Sequence, residues 1–194
     1  MNSRITVFKA IYYTCALASI GTLLALSGCA SEEKVEAKSY SVPLRLHAGA
    51  NLNQGNHKQP LAQVIKIYHL RAIERFEQTP FNSLLSTEEE EKALGTDLLD
   101  SRELLLVPNQ HYETQENVSA EVQYIAVVAF FRQPAPRRWR VAYSTKDSET
   151  TGITLGIHAC ALTSTQGALV SNVPGNADSL VSVRCDRADG KQDQ

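Results

Sequence analysis

Between Ser41 and His47 the chain alternates without a break: Val42, Leu44 and Leu46 fall on one side, and Ser41, Pro43, Arg45 and His47 on the other. A period of two sorts these residues onto opposite faces of an extended backbone, so the segment reads as a half-buried strand and not as a helix. The same period returns at Trp139, Val141 and Tyr143, and again at Ile153, Leu155 and Ile157. Residues 61 to 70 and 98 to 107 are rich in β-branched and apolar residues. From Tyr124 to Phe131 the chain is apolar on both faces, the pattern of a central strand covered by a layer on each side. Leu180 to Cys185 offers a last strand. About seven or eight short strands of this kind predict an all-β domain, a two-sheet β-sandwich.

The breaks between these runs carry their own signals. Pro43 has no N–H for a ladder, which places it on an edge strand or at an unpaired position. Residues 50 to 60 hold three Asn and a Gly and end in Pro60, a long polar loop on which a rigid sandwich can carry a binding surface. Thr79-Pro80 predicts a helix cap with Pro at the first helical position, and Ser86-Thr87-Glu88-Glu89 a capping box. A small helical insertion thus falls between strands, with the acids Glu88 to Glu91 as its solvated start. Gln133-Pro134-Ala135-Pro136 turns the chain back as a hairpin into the strand at Arg138 to Tyr143, with Trp139 in the core and the arginines on a solvated face. The cluster Arg137-Arg138-Trp139-Arg140 also admits a reading as a recognition patch.

The amino terminus is laid out for export. Arg4 and Lys9 precede an uncharged, mostly apolar run over residues 10 to 26, followed at once by Leu26-Ser27-Gly28-Cys29. That tetrapeptide resembles the bacterial lipobox, in which the signal is cut before the cysteine and the cysteine is acylated. Residues 1 to 28 are therefore read as a signal peptide and Cys29 as the lipidation site, with more than one acyl chain making a stable anchor. Residues 30 to 39 are polar, mixed in charge and without an apolar face, which suits a tether. Ala30 stands where an Asp would favour retention at the inner membrane, so the resemblance favours the outer membrane. Residues 40 to 194 form a single sandwich domain in this reading, with 146 to 194 as a carboxy-terminal extension.

Cysteine use fits such an address. With Cys15 in the signal and Cys29 consumed by lipid, Cys160 and Cys185 are the one pair left in an oxidising compartment. They form either a disulfide, which closes a loop of about 25 residues, or two buried thiols that never meet. A formal charge of -2 gives no electrostatic case for nucleic acid. The chain holds no nucleophile elbow, zinc-protease, phosphate-loop or dinucleotide signature, and its five histidines have no ligand spacing. No catalytic residue, metal site or cofactor is predicted beyond the covalent lipid on Cys29.

Taken in order, these features resemble the outer-membrane lipoprotein of the type VI secretion system, the TssJ or SciN family. The residues carrying the likeness are the lipobox, Asn51-Leu52-Asn53 leading to Pro60, and Val64-Ile65-Lys66-Ile67-Tyr68-His69-Leu70. Phe76, Phe81, Leu94-Gly95-Thr96-Asp97-Leu98-Leu99, Tyr124 to Arg132 and Trp139-Arg140 continue it. The resemblance implies a transthyretin-like sandwich held at the outer membrane, facing the periplasm, with no catalysis. It implies a partner too, the periplasmic carboxy-terminal region of the IcmF-like inner-membrane subunit TssM, contacted by the loop between the first two strands. Here that loop is Asn51, Leu52, Asn53, Gln54, Gly55, Asn56, His57, Lys58 and Gln59. The chain departs from the family in having Pro108-Asn109 where Pro-Gly is common. The rival class is a periplasmic ligand-binding or cell-wall hydrolase lipoprotein, marked by a deep pocket with convergent polar groups.

Overall fold

The computed structural model describes residues 38–185, so the lipobox, Cys29 and most of the tether lie outside the described residues. Two four-stranded sheets face each other. In the first, β1 (Ser39–Ala48) lies between β4 (His111–Ser119) and β7 (Ile153–Ile157), with β8 (Leu162–Gln166) beyond β7. In the second, β2 (Gln63–Leu70) lies between β3 (Leu98–Leu106) and β5 (Tyr124–Ala129), with β6 (Arg140–Ser144) beyond β5. Neighbouring strands run antiparallel except β1 and β7. This is the expected two-sheet sandwich with a small helical insertion.

Period-two patterning builds the core. Val42, Leu44 and Leu46 of β1 and Ile153, Leu155 and Ile157 of β7 close against Ile65 and Ile67 of β2 and Ile125 and Val127 of β5, all fully buried. Each such side chain contributes roughly 1.5–3 kcal/mol on leaving water. Across the gap the Tyr143 hydroxyl of β6 donates to Ser164 Oγ of β8 at 2.7 Å. Burial raises the pKa of this phenol above its ordinary range, and the Ser164 contact partly opposes the rise.

The outer face of the second sheet is covered as well, which explains why β5 is apolar on both sides. The cover is α1 (Glu74–Gln78), a 3-10 turn at Phe81–Leu85 and α2 (Thr87–Leu94). Phe76, Leu84 and Leu94 are its buried contacts, and Phe76 stacks at a tilt on Tyr68 with ring centroids 5.7 Å apart. Gly95 ends α2 at φ 54, and a Cβ there would lie 2.5 Å from an Arg75 nitrogen.

Several expectations are corrected. Thr79 ends α1 instead of opening a helix: its hydroxyl donates to the Arg75 carbonyl at 2.7 Å, and the extended backbone of Pro80 starts the 3-10 turn. Ser86 does precede α2, but its side chain makes no capping hydrogen bond. Of the acid run, Glu88, Glu89 and Glu91 are exposed, whereas Glu90 is buried. Of the two places expected for Pro43, the edge strand is not found, since β1 is an inner strand, but the unpaired position is: pairing with β7 begins one residue later, at Leu44. β4 went unread in the sequence because its residues are nearly all polar. Finally, Leu180 to Cys185 is turn and irregular chain, not a strand. The open edge of β6 is met instead by residues 168–171, where Ser144 N donates to Ala168 O and Ala142 N donates to Ser171 Oγ.

The arginine-rich stretch is not a solvated face. Arg138 and Arg140 are drawn into the structure, each donating to several backbone carbonyls, while Arg137 is exposed. Arg140 reaches Phe76 O and Thr79 O at 2.7 and 2.5 Å, together with Glu77 O, and so fastens α1 to β6. Burial lowers its pKa and Glu77 partly restores it. Trp139 is buried, as expected.

Candidate functional site: the loop between the first two strands

β1 runs from Ser39 to Ala48 and delivers the chain to the 51–59 loop at the far end of the sandwich from where it entered. Asn51, Asn56, His57, Lys58 and Gln59 are exposed, Gln54 is half-buried, and Leu52, Asn53 and Gly55 are buried. The nine residues therefore divide into two groups. Leu52, Asn53 and Gly55 hold the loop's shape, and the others present its surface.

That shape is fixed from three directions. Asn53 N and Gln54 N each donate at 3.0 Å, to His158 O and Ala159 O of the β7–β8 turn. The Asn53 side chain donates to Ala62 O and accepts from Arg132 N, both at 2.9 Å, and Arg132 also reaches Asn56 Oδ1. Within the loop, Gly55 N donates to Gln59 O and Lys58 N donates to Gly55 O, both at 2.9 Å. Lys58 is held at φ 59, a left-handed backbone that costs a non-glycine residue roughly 1–2 kcal/mol. A loop braced in this way loses little conformational freedom when a partner docks.

The disulfide expected as one of two alternatives is formed: Cys160 and Cys185 are bonded, with Cα atoms 5.6 Å apart. Cys160 directly follows the Ala159 carbonyl that receives Gln54, and its own carbonyl accepts from Ala135 N at 2.9 Å. The disulfide therefore ties the segment ending at Cys185 to both turns that brace the loop. Between loop and disulfide lies an open cleft of about 370 Å³, lined by Gln54, Asn56, Lys58 and Gln133 among others. Its lining mixes polar side chains with Ala159 and the disulfide, and among the described residues it offers neither a nucleophile–base pair nor a carboxylate.

Two buried ionic clusters lie elsewhere. On the outer face of the second sheet, Lys66 Nζ donates to Glu90 Oε2 at 2.6 Å and the Tyr68 hydroxyl donates to Glu90 Oε1. Burial first, and Glu90 second, push the Tyr68 pKa far above the usual phenol range. At the β3–β4 side, Glu116 is 4% exposed and bridges the two sheets by contacts with His69 Nε2 at 3.0 Å and with Arg102. Burial works to raise the Glu116 pKa, but the His69 and Arg102 contacts outweigh it and leave it lowered. Both clusters join layers together. The sequence held one faint signal for the first, the i,i+4 spacing of Glu90 and Leu94 on a single helix face. It held none for the second, whose members come from three strands.

His57 lies exposed in the loop, His47 meets His111 edge-to-face, and His158 contacts Thr163 Oγ1 at 2.9 Å. Burial lowers the pKa of His158. Among the described residues, no group of three or more His, Cys, Asp or Glu is arranged to hold a metal ion. No helix among them is long and apolar enough to cross a membrane.

Fold and site together define a β-sandwich that displays a rigid polar loop at one end. The chain belongs to the family described as "Type VI secretion lipoprotein, VasD, EvfM, TssJ", whose model matches residues 40–160. No curated protein sequence matches it. Among solved structures, the type VI lipoprotein TssJ1 from Pseudomonas aeruginosa is 21% identical with a TM-score of 0.59, over 70% of this chain and 99% of that one. Serratia marcescens Lip, a membrane-bound component of the type VI secretion system, is 22% identical with a TM-score of 0.56, over 66% and 98%. A chain in the structure of the TssM C-terminal domain from EAEC is 19% identical with a TM-score of 0.57, over 66% and 98%. Likeness at these identities speaks to the fold.

Proposed function

We propose that this type VI secretion lipoprotein is a non-enzymatic scaffold, anchored in the outer membrane through acylated Cys29 and facing the periplasm, which binds the periplasmic carboxy-terminal region of TssM through the 51–59 loop. The observation that carries the reading is the bracing of that loop. Asn53, Gln54 and Asn56 bond two neighbouring turns, and Asn51 and Asn56 to Gln59 are left exposed as polar residues. Family membership and the TssM domain structure among the fold's relatives support the choice of partner. The covalent lipid is the only added group this role requires.

The test replaces residues 56–59 with Gly-Ser of equal length, leaving Leu52 and Asn53 in place, and measures binding to the periplasmic domain of the cognate TssM. Loss of binding with an unchanged circular dichroism spectrum is the expected result; unaltered affinity removes the loop from the interface. Replacing Cys29 with Ser is expected to move the protein out of the membrane fraction, and persistence in the outer membrane refutes the lipid anchor.

A further inference from the structure

The β5–β6 turn and the irregular segment ahead of Cys185 enclose a second concavity, of about 440 Å³. Three arginines line it, Arg137, Arg138 and Arg184, and none of the described lining residues is acidic. Arg138 is only 2% exposed. Its terminal nitrogens donate to the carbonyls of Pro174 and Asn176 at 2.6 and 2.7 Å and, at 3.3 Å, to those of Ala177 and Ser179. Carbonyls supply geometry but only partial charge. Among the described residues Arg138 has no ion-pair partner, and its buried Nε has no hydrogen-bond acceptor.

A buried cation left without a counter-charge is expensive. Burial accordingly drives the Arg138 pKa below the usual guanidinium range. Arg140 provides the contrast, since it makes similar carbonyl contacts but feels the Glu77 charge and sits over the Trp139 ring at 4.6 Å. Arg137 and Arg184, both exposed, add two more positive groups to the same wall, and Arg137 is held in a left-handed backbone at φ 52. Three arginines on one concavity, with no acid among the described lining residues, suit the oxygens of a carboxylate or phosphate: the exposed Arg137 and Arg184 supply the hydrogen bonds, and the buried Arg138 supplies charge from beneath.

Position selects between sources of that anion. Ile65 at the start of β2 pairs with Ala129 at the end of β5, and Arg132 reaches Asn56, so the β5–β6 turn stands at the loop's end of the sandwich. The chain enters at Ser39, the opposite end of a ten-residue strand that spans roughly 30 Å. A protein docked on the 51–59 loop stands at the pocket's own end of the sandwich, which favours a partner's acidic side chain as the source of the anion.

We propose that this pocket is an oxyanion site that receives an acidic side chain of the protein docked on the 51–59 loop, with Arg137 and Arg184 as its exposed arms and Arg138 as its floor. The proposal rests on the loop reading above and extends that interface by a charged contact. Its signature is salt-dependent affinity, because a charged rim steers association and is screened by ions.

The test uses the full-length lipidated chain in non-ionic detergent. Arg137→Ala with Arg184→Ala, both at exposed positions, is expected to weaken binding to the TssM periplasmic domain on the order of tenfold and to flatten its salt dependence. In parallel, sodium acetate is added while the Arg138 Nε–H cross-peak is followed by nuclear magnetic resonance. The cross-peak is expected to shift in the unaltered chain and to shift less in the double variant. Unchanged affinity and salt slope in the double variant, with binding still abolished by the loop replacement, overturn the proposal and leave the loop reading intact. Failure of the unaltered chain to bind overturns the loop reading and this extension of it together. A third variant changes Asp186, Asp189 and Asp193 to Asn. Movement of the Nε–H cross-peak on that change, without added anion, overturns the proposal by making the chain's own acids the occupant.

Discussion

Replacing Glu90 with Ala should destabilise the protein by about 3 kcal/mol, although the residue sits in a run of acids that reads as a solvated helix start. Its carboxylate is 3% exposed and takes hydrogen bonds from Lys66 Nζ at 2.6 Å and from the Tyr68 hydroxyl. The Lys66 side chain is itself only 10% exposed. Truncating one partner of a buried pair leaves the other charge uncompensated, at a cost of about 3–5 kcal/mol. Glu103 remains 3.6 Å from Lys66, but it is 58% exposed and well screened, so it moves the expectation only to the lower end of that range. The assay is urea unfolding followed by fluorescence of Trp139, the single tryptophan. With a denaturant slope of about 1–3 kcal/mol per molar, the midpoint should fall by roughly 1–3 M. Lys66→Met with Glu90→Leu supplies the control, because it should recover the part of the loss due to the unpaired Lys66 charge, the Tyr68 hydroxyl losing its acceptor in both variants. A loss below about 1 kcal/mol in Glu90→Ala, or a double variant no better than the single, refutes the electrostatic account.

Three further outcomes follow from the same kind of reasoning. Glu116 has a lowered folded pKa, so the stability it contributes is present above the ordinary carboxylate value of about 4.5 and is lost as pH falls through its lower folded value. Glu116→Gln should therefore be less stable than the unaltered chain at neutral pH, and the two curves of stability against pH should converge in acid; parallel curves down to pH ~2 count against the assignment. Joint replacement of Cys160 and Cys185 by Ser opens a crosslink of sequence separation 25 and should cost about 3 kcal/mol. The same change should increase hydrogen exchange at Asn53 N and Gln54 N, which bond the turn beside Cys160. Gly95→Ala forces a side chain onto a backbone at φ 54 beside Arg75 and should cost about 1–2 kcal/mol in thermal unfolding.

The sequence by itself determined the sandwich. Period-two alternation at Ser41–His47, Arg138–Tyr143 and Ile153–Ile157 is a local property, because a strand's two faces are set by its own residues. The long polar stretch between the first two strands was legible for the same reason, since Asn, Gly and Pro act on their own backbone. Tertiary structure decided what local patterns do not encode. His111–Ser119 became a strand because β1 needed a partner, though little in its polar composition announced it. Glu90 became a buried counter-ion because Lys66 lies on the facing strand surface, 24 residues away in the chain. Arg138 and Arg140 turned inward because carbonyls of the 174–179 segment and of α1 came within reach. Within the loop, only folding separated the buried Leu52, Asn53 and Gly55 from the exposed tip, because the groups that brace them belong to the turns at Arg132 and His158. Burial and charge pairing depend on what arrives from elsewhere in the chain, and a strand's period carries no record of it.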